Sequence, residues 1–198
     1  MCYNRQVKGI CKMNEMTKTG RRISTVDTAY IAMFSALIAV CSWISIPTAV
    51  PFTMQTFAVF LTLLMLGGRR GFFSVLTYIL LGAVGVPVFS GFKGGVSALF
   101  GMTGGYILGF LLTALIYRAA ERFISTNAIV KIASLIIGLA VCYAFGTVWF
   151  IVIYSRDVKQ IGLSAALSMC VTPFLLPDAV KLALAWTVSL ALKKRIRL

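Results

Sequence analysis

The sequence predicts an all-α membrane protein with six transmembrane helices and both termini on one side. Three observations lead there. Of the 198 residues, 60% are hydrophobic and only 12% are charged, about half the charged fraction of an ordinary soluble domain. The apolar residues fall into long runs rather than amphipathic stripes, so the exterior must lie in lipid. Finally, the 19 Lys and Arg residues, which give a net charge of +14, sit in the short breaks between those runs.

The first run is Thr28–Ile46, ended by Pro47 and Pro51. The second, Phe52–Leu66, is shorter than the roughly 20 residues that cross a bilayer. It stops at Gly67-Gly68-Arg69-Arg70-Gly71, and a tilted or partly inset helix is expected there. The third covers Phe72–Val88 and leads into Ser90-Gly91-Phe92-Lys93-Gly94-Gly95, which reads as a flexible loop. The fourth lies within Ala98–Tyr117, the fifth runs from about Ala128 to Tyr154, and the sixth spans Leu163–Leu192 as one helix. Residues 1–27 read as a partly disordered extension, its first part up to about Glu15 an upstream addition, and 193–198 as a basic tail. The extension has no apolar core of its own and no small-residue cleavage site follows, so a cleaved signal peptide is not expected.

Basic residues orient the chain. With the N-terminus inside, fifteen Lys and Arg fall on the inner side and three (Lys93, Arg156, Lys159) outside, while Lys181 lies within a span. That distribution accounts for the charge without a nucleic-acid partner, since no basic stripe or aromatic-interleaved patch is present. The absence of His and the presence of only five acidic residues leave little for metal sites or imidazole catalysis. No metal, cofactor or catalytic residue is assigned. Cys41, Cys142 and Cys170 read as small hydrophobes. No stretch reads as a soluble domain and no Walker-type phosphate loop occurs, so ATP hydrolysis would belong to another chain.

Asp178 and Lys181 are the most informative pair. Three residues apart deep in the last run, they share a helix face, and charges at that depth normally face a cavity or a partner. The pair reads either as a bridge locking helices together or as a polar site for a ligand. Pro173 and Pro177 are expected to distort the backbone around it. Gln55 and Thr56 form a second polar spot, functional or merely interfacial. Gly91, Gly94 and Gly95 would form a lid, with Lys93, Ser97 and Tyr106 meeting a polar or anionic ligand end. Gly105 and Gly109, four apart, read as helix-packing positions. Tyr78 and Trp149 are left without a role. In the first span Ala29, Ala32, Ala36 and Ala39 make a small-residue face for an internal or external helix, with Ala32 and Ala36 one helical turn apart.

Five segments together resemble the BioY family, the biotin-specific S components of energy-coupling-factor transporters. They are Pro51-Phe52-Thr53-Met54-Gln55-Thr56, Leu66-Gly67-Gly68-Arg69-Arg70-Gly71, the stretch from Leu80 to Phe89, Thr103-Gly104-Gly105-Tyr106, and Leu176-Pro177-Asp178 with Lys181. The resemblance, over about Ile23–Leu192, implies a six-helix bundle of the S-component type in a bacterial cell membrane. Its implied partners are biotin and a membrane-embedded coupling subunit with two cytoplasmic ATPases. It places Asp178 and Lys181 near the ureido ring, Ala32 and Ala36 against the coupling subunit, and the loop before span four over the pocket. Gly101-Met102-Thr103 departs from the Gly-Pro-Thr common in the family, which implies a less rigid start to span four. The residues alone leave open a stand-alone secondary transporter with Asp178 as its ion site, an S component for another vitamin, or, least in keeping with the composition, an intramembrane enzyme.

Overall fold

The computed structural model describes residues 24–46, 50–158 and 160–195. Most of the expected N-terminal extension, and the last residues of the basic tail, lie outside the described residues. Helix α1 (Thr25–Trp43) begins three residues before the apolar run does. The Ser24 amide donates to Asp27 Oδ2 at 3.1 Å, which satisfies one of the donors that a helix start leaves open. After α1 the chain turns through a two-stranded antiparallel hairpin, β1 (Ser45–Ile46) and β2 (Phe52–Thr53), with Ser45 opposite Thr53. The expected helical spans over Ile46 and Phe52 are corrected here. The prolines that end the first run leave a short extended pair rather than a second helix start.

Helix α2 (Gln55–Val84) holds spans two and three as two legs broken at Gly67, whose φ of 76° and ψ of 174° belong to a region open essentially to glycine. The second leg folds back on the first, so that a Cβ on Gly71 would lie 2.8 Å from Leu63 Cδ2. The first leg, residues 55–66, is only about 18 Å long at 1.5 Å per residue, short of the hydrocarbon thickness. It sits at the centre of the bundle, with Ala58, Val59, Leu63 and Leu64 essentially inaccessible. The hairpin and a cavity occupy the depth that it does not span.

The second leg of α2 is followed by a one-turn helix α3 (Val96–Leu99), then α4 (Gly104–Phe123). Span four therefore starts six residues later than Ala98 and runs past Tyr117, taking Arg118, Glu121 and Arg122 into its last turns. Helix α5 (Ala128–Asp157) packs along α4 at glycine positions on both sides. A Cβ on Gly109 would come within 2.6 Å of Cys142 Sγ, and one on Gly138 within 2.7 Å of Thr113 Cγ2. Close backbone approach of this kind is what small residues allow between helices in lipid.

The expected single last helix is two: α6 (Leu163–Cys170) and α7 (Thr172–Arg195), separated at Val171. Pro173 lies in the first turn of α7, where its missing donor costs nothing. Only Pro177 interrupts the ladder. Lys193, Lys194 and Arg195 continue α7 rather than forming a tail.

Among the described residues, four helical stretches are long and apolar enough to cross a membrane: Thr25–Trp43, Gln55–Val84, Ala128–Arg156 and Leu163–Arg195. Division of α2 at Gly67, together with α4, brings the crossing elements to six. One end of the bundle collects charges: Arg70 pairs with Asp27 at 2.6 Å, Arg118 covers the Phe72 ring at 5.5 Å, and the Gly68 amide donates to Glu121 Oε2. The alternation of the spans puts the starts of α1 and α5 and the end of α7 at that same end. Lys93 and Arg156 are at the other.

Candidate ligand-binding site

The first leg of α2 begins partway across the bundle, and a cavity of about 600 Å³ opens above its N-terminus. Gln55 and Thr56 line it from below, and the β-hairpin contributes Val50, Pro51 and Thr53. Helix α4 adds Tyr106, Ile107 and Phe110, α5 adds Leu139, Cys142 and Tyr143, and α6 adds Cys170. Helix α7 supplies Phe174, Asp178 and Lys181, and the 89–103 segment closes the remaining side with Phe89, Ser90, Lys93, Gly94 and Ser97. The walls are thus mainly apolar with a few polar groups converging from separate helices, the usual make-up of a small-molecule site.

The polar groups form a connected set. Lys181 Nζ donates to Asp178 Oδ1 at 2.8 Å and to the Thr53 carbonyl at 2.7 Å, and lies 4.1 Å from the centre of the Phe52 ring. The Tyr143 hydroxyl donates to Asp178 Oδ2 at 2.5 Å. Asp178 and Lys181 are 2% and 4% exposed, so each charge depends on the other for compensation. The single-turn spacing on α7 sets the pair, and the hairpin fixes it by presenting a carbonyl and an aromatic face. Phe174, one turn before Asp178, stacks on Phe52 at 5.9 Å and supports that face.

Gln55 is different. Its Nε2 is buried at the edge of the cavity without a hydrogen-bond partner among the described residues. A buried donor left open costs about 1–3 kcal/mol, and such a group calls for an acceptor. Tyr106, by contrast, is internally engaged: its hydroxyl lies 3.0 Å from Thr147 Oγ1.

Residues 13–198 match the sequence profile of the BioY family. A biotin transporter BioY of Thermotoga maritima is 43% identical over 164 residues, covering 82% of this chain and 92% of the relative. The chain belongs to the BioY family. A probable biotin transporter BioY of Pyrococcus horikoshii is 37% identical, with 80% of this chain and 91% of the relative covered. A crystal structure of the S-component for biotin from an ECF-type ABC transporter superposes with a TM-score of 0.72 at 23% identity, covering 98% of this chain and 95% of that one. The bundle is therefore of the S-component fold, in a multi-pass membrane protein.

In this BioY-family chain, all seven residues expected to face a ligand line the one cavity: Gln55, Thr56, Lys93, Ser97, Tyr106, Asp178 and Lys181. Lys93 and Ser97 stand at its exposed mouth, and the other five are buried. Of the expected lid glycines, Gly94 lines the cavity, while Gly91 and Gly95 take positive φ, at 72° and 90°, in the turn. The loop is tied down by Phe89 N–H to the Lys93 carbonyl at 2.9 Å and Gly95 N–H to the Gly82 carbonyl at 2.7 Å.

Trp149, without a role in the sequence, donates to the Gly101 carbonyl at 3.0 Å and packs on Gly105. On α1, Ala29, Ala32 and Ala36 face outward with Met33 and Val40, whereas Ala39 is buried. The small-residue face is thus Ala29, Ala32 and Ala36, and no described helix covers it. Tyr143 was not foreseen. Its signal was a polar pair, Tyr143 and Thr147, one helical turn apart inside the most apolar run.

Proposed function

We propose that this chain binds biotin in the cavity and, docked on an energy-coupling module, hands it over for ATP-driven uptake. The observation that carries this reading is the convergence of a buried Asp178–Lys181–Tyr143 set and an unpaired Gln55 amide on one mostly apolar cavity of about 600 Å³. Biotin presents a ureido ring with two N–H donors and one carbonyl acceptor, an apolar thioether ring and chain, and a terminal carboxylate. Asp178 accepts from the ureido donors and Gln55 Nε2 donates to a ligand acceptor, while Phe174, Phe110, Ile107 and Leu139 enclose the apolar part. Lys93, exposed at the mouth, meets the carboxylate, with Ser97 beside it. Thr56 and Tyr106 complete the wall. No bond is made or broken, so these groups act by binding rather than catalysis.

The outward face of Ala29, Ala32 and Ala36 takes a helix of the coupling subunit, whose two ATPase subunits lie on the same side as both termini, the cytoplasmic side by the distribution of Lys and Arg. The Asp178 charge is already balanced by Lys181, which speaks against a lone-carboxylate ion site and hence against a stand-alone secondary transporter. The Asp178 oxygens can each accept a further hydrogen bond. Uptake of radiolabelled biotin into proteoliposomes tests the reading. Accumulation is expected only when this chain is reconstituted with a coupling module and internal ATP. Uptake by this chain alone, abolished when the ion gradient is collapsed, would overturn it.

A further inference from the structure

We propose that the last turn of α1 positions the loop that carries Ser90 and Lys93 onto the cavity, with Trp43 as the latch that controls ligand exit. The identity of the ligand rests on the function proposed above; the positioning does not. Three contacts converge on the loop from two adjacent residues. The buried Ser42 hydroxyl donates to the Val88 carbonyl at 2.5 Å, Trp43 Nε1 donates to the Pro87 carbonyl at 2.9 Å, and the Trp43 ring stacks on Phe92 with centroids 5.1 Å apart.

Phe92 is the tip of the loop and is 65% exposed, so core packing does not hold it. Its φ of 56° is a conformation that a bulky side chain rarely adopts. The flat contact with Trp43 compensates for that unfavourable turn. The turn in turn brings Phe89 and Lys93 opposite each other in an antiparallel bridge, and Ser90, Lys93 and Gly94 against the cavity. Without Trp43 the loop keeps its Gly95–Gly82 anchor but loses the ring and the N–H that hold its outer half. Trp43 is not among the residues that line the cavity, and is a positioning residue that acts through Phe92 and Pro87.

The test uses Trp43→Ala, Trp43→Phe, Phe92→Ala and the Trp43→Ala/Phe92→Ala double variant of the full chain in detergent. Two readouts are taken: biotin dissociation by stopped flow, and hydrogen exchange of the 86–96 segment without biotin. Loss of a stacked pair and one hydrogen bond predicts dissociation about tenfold faster in Trp43→Ala, with association little changed. Trp43→Phe, which keeps the stack, is expected to fall between wild type and Trp43→Ala. The double variant is expected to be no faster than Trp43→Ala, because the two rings share one contact.

Exchange at Phe89 is expected to rise in Trp43→Ala while Gly95, still bonded to the Gly82 carbonyl, and helices α4 and α5 stay protected. Unchanged exchange in the 86–96 segment, or unchanged dissociation in a protein that binds biotin, would overturn the proposal. Should the wild-type chain bind no biotin, the ligand assignment fails, and the exchange measurement alone decides the positioning claim.

Discussion

Replacement of Lys181 by methionine probes the polar centre most sharply. The side chain keeps most of its volume but loses the ammonium, and with it the bonds to Asp178 Oδ1 and the Thr53 carbonyl and the contact with the Phe52 ring. Asp178, 2% exposed, then keeps only the Tyr143 hydroxyl against its charge. Removal of one member of a buried ion pair costs about 3–5 kcal/mol, because the remaining charge is left uncompensated. Removal of both members restores balance. Asp178→Asn/Lys181→Met is therefore expected to lose clearly less than the sum of its single variants, with a coupling of about 1–3 kcal/mol. Unfolding of the four proteins of the cycle in detergent, followed by tryptophan fluorescence, measures this. If Lys181→Met is as stable as wild type, or the two changes simply add, the buried pair is not the mutually compensating unit described here.

Four further outcomes follow from the geometry. Gln55→Met is expected to leave the unliganded protein as stable as wild type or more so, since it removes an unpaired donor, yet to weaken biotin binding by about tenfold or more; titration calorimetry beside thermal unfolding separates the two. Gly67→Ala forces a Cβ into a glycine-only conformation 3.3 Å from Glu121 Oε2 and should destabilise the chain by about 1–3 kcal/mol, read by thermal unfolding. Gly109→Leu is expected to wedge α4 from α5, where even a Cβ would sit 2.6 Å from Cys142 Sγ, and to cost about 1–3 kcal/mol or more. Ala32→Trp, on the outward face of α1, is expected to keep biotin binding and lose co-purification with the coupling subunit.

The six crossings were legible because apolar length and the placement of Lys and Arg are strong one-dimensional signals. The central depth of the second run was legible only in part. Its shortness marked it as unusual, but its burial at the core of the bundle depends on Gly71 meeting Leu63 across a break that no period reveals. The hairpin of Ser45–Ile46 with Phe52–Thr53 has too few residues to carry an alternation pattern. The division of the last run at Val171 lacks any breaker at that position, since the nearby Pro173 suits a helix start as well as a kink.

In the site, Asp178 and Lys181 stood out because charge in an apolar run is conspicuous. Tyr143 did not, because tyrosine is ordinary in such a run, and only the approach of α5 to α7 turns its hydroxyl onto Asp178. The glycines at 91, 94 and 95 suggested flexibility. Gly91 and Gly95 take positive φ in the turn, and Trp43, some fifty residues earlier in the chain, stacks on its Phe92, a contact that sequence spacing does not reveal.

Isothermal titration of the purified chain with biotin, alongside Gln55→Met and Asp178→Asn/Lys181→Met, tests the central claim most directly. The account predicts one site per chain with a submicromolar Kd for wild type, weakened in both variants while both remain folded. No binding by a folded wild-type chain at micromolar biotin, or full affinity in both variants, would contradict it.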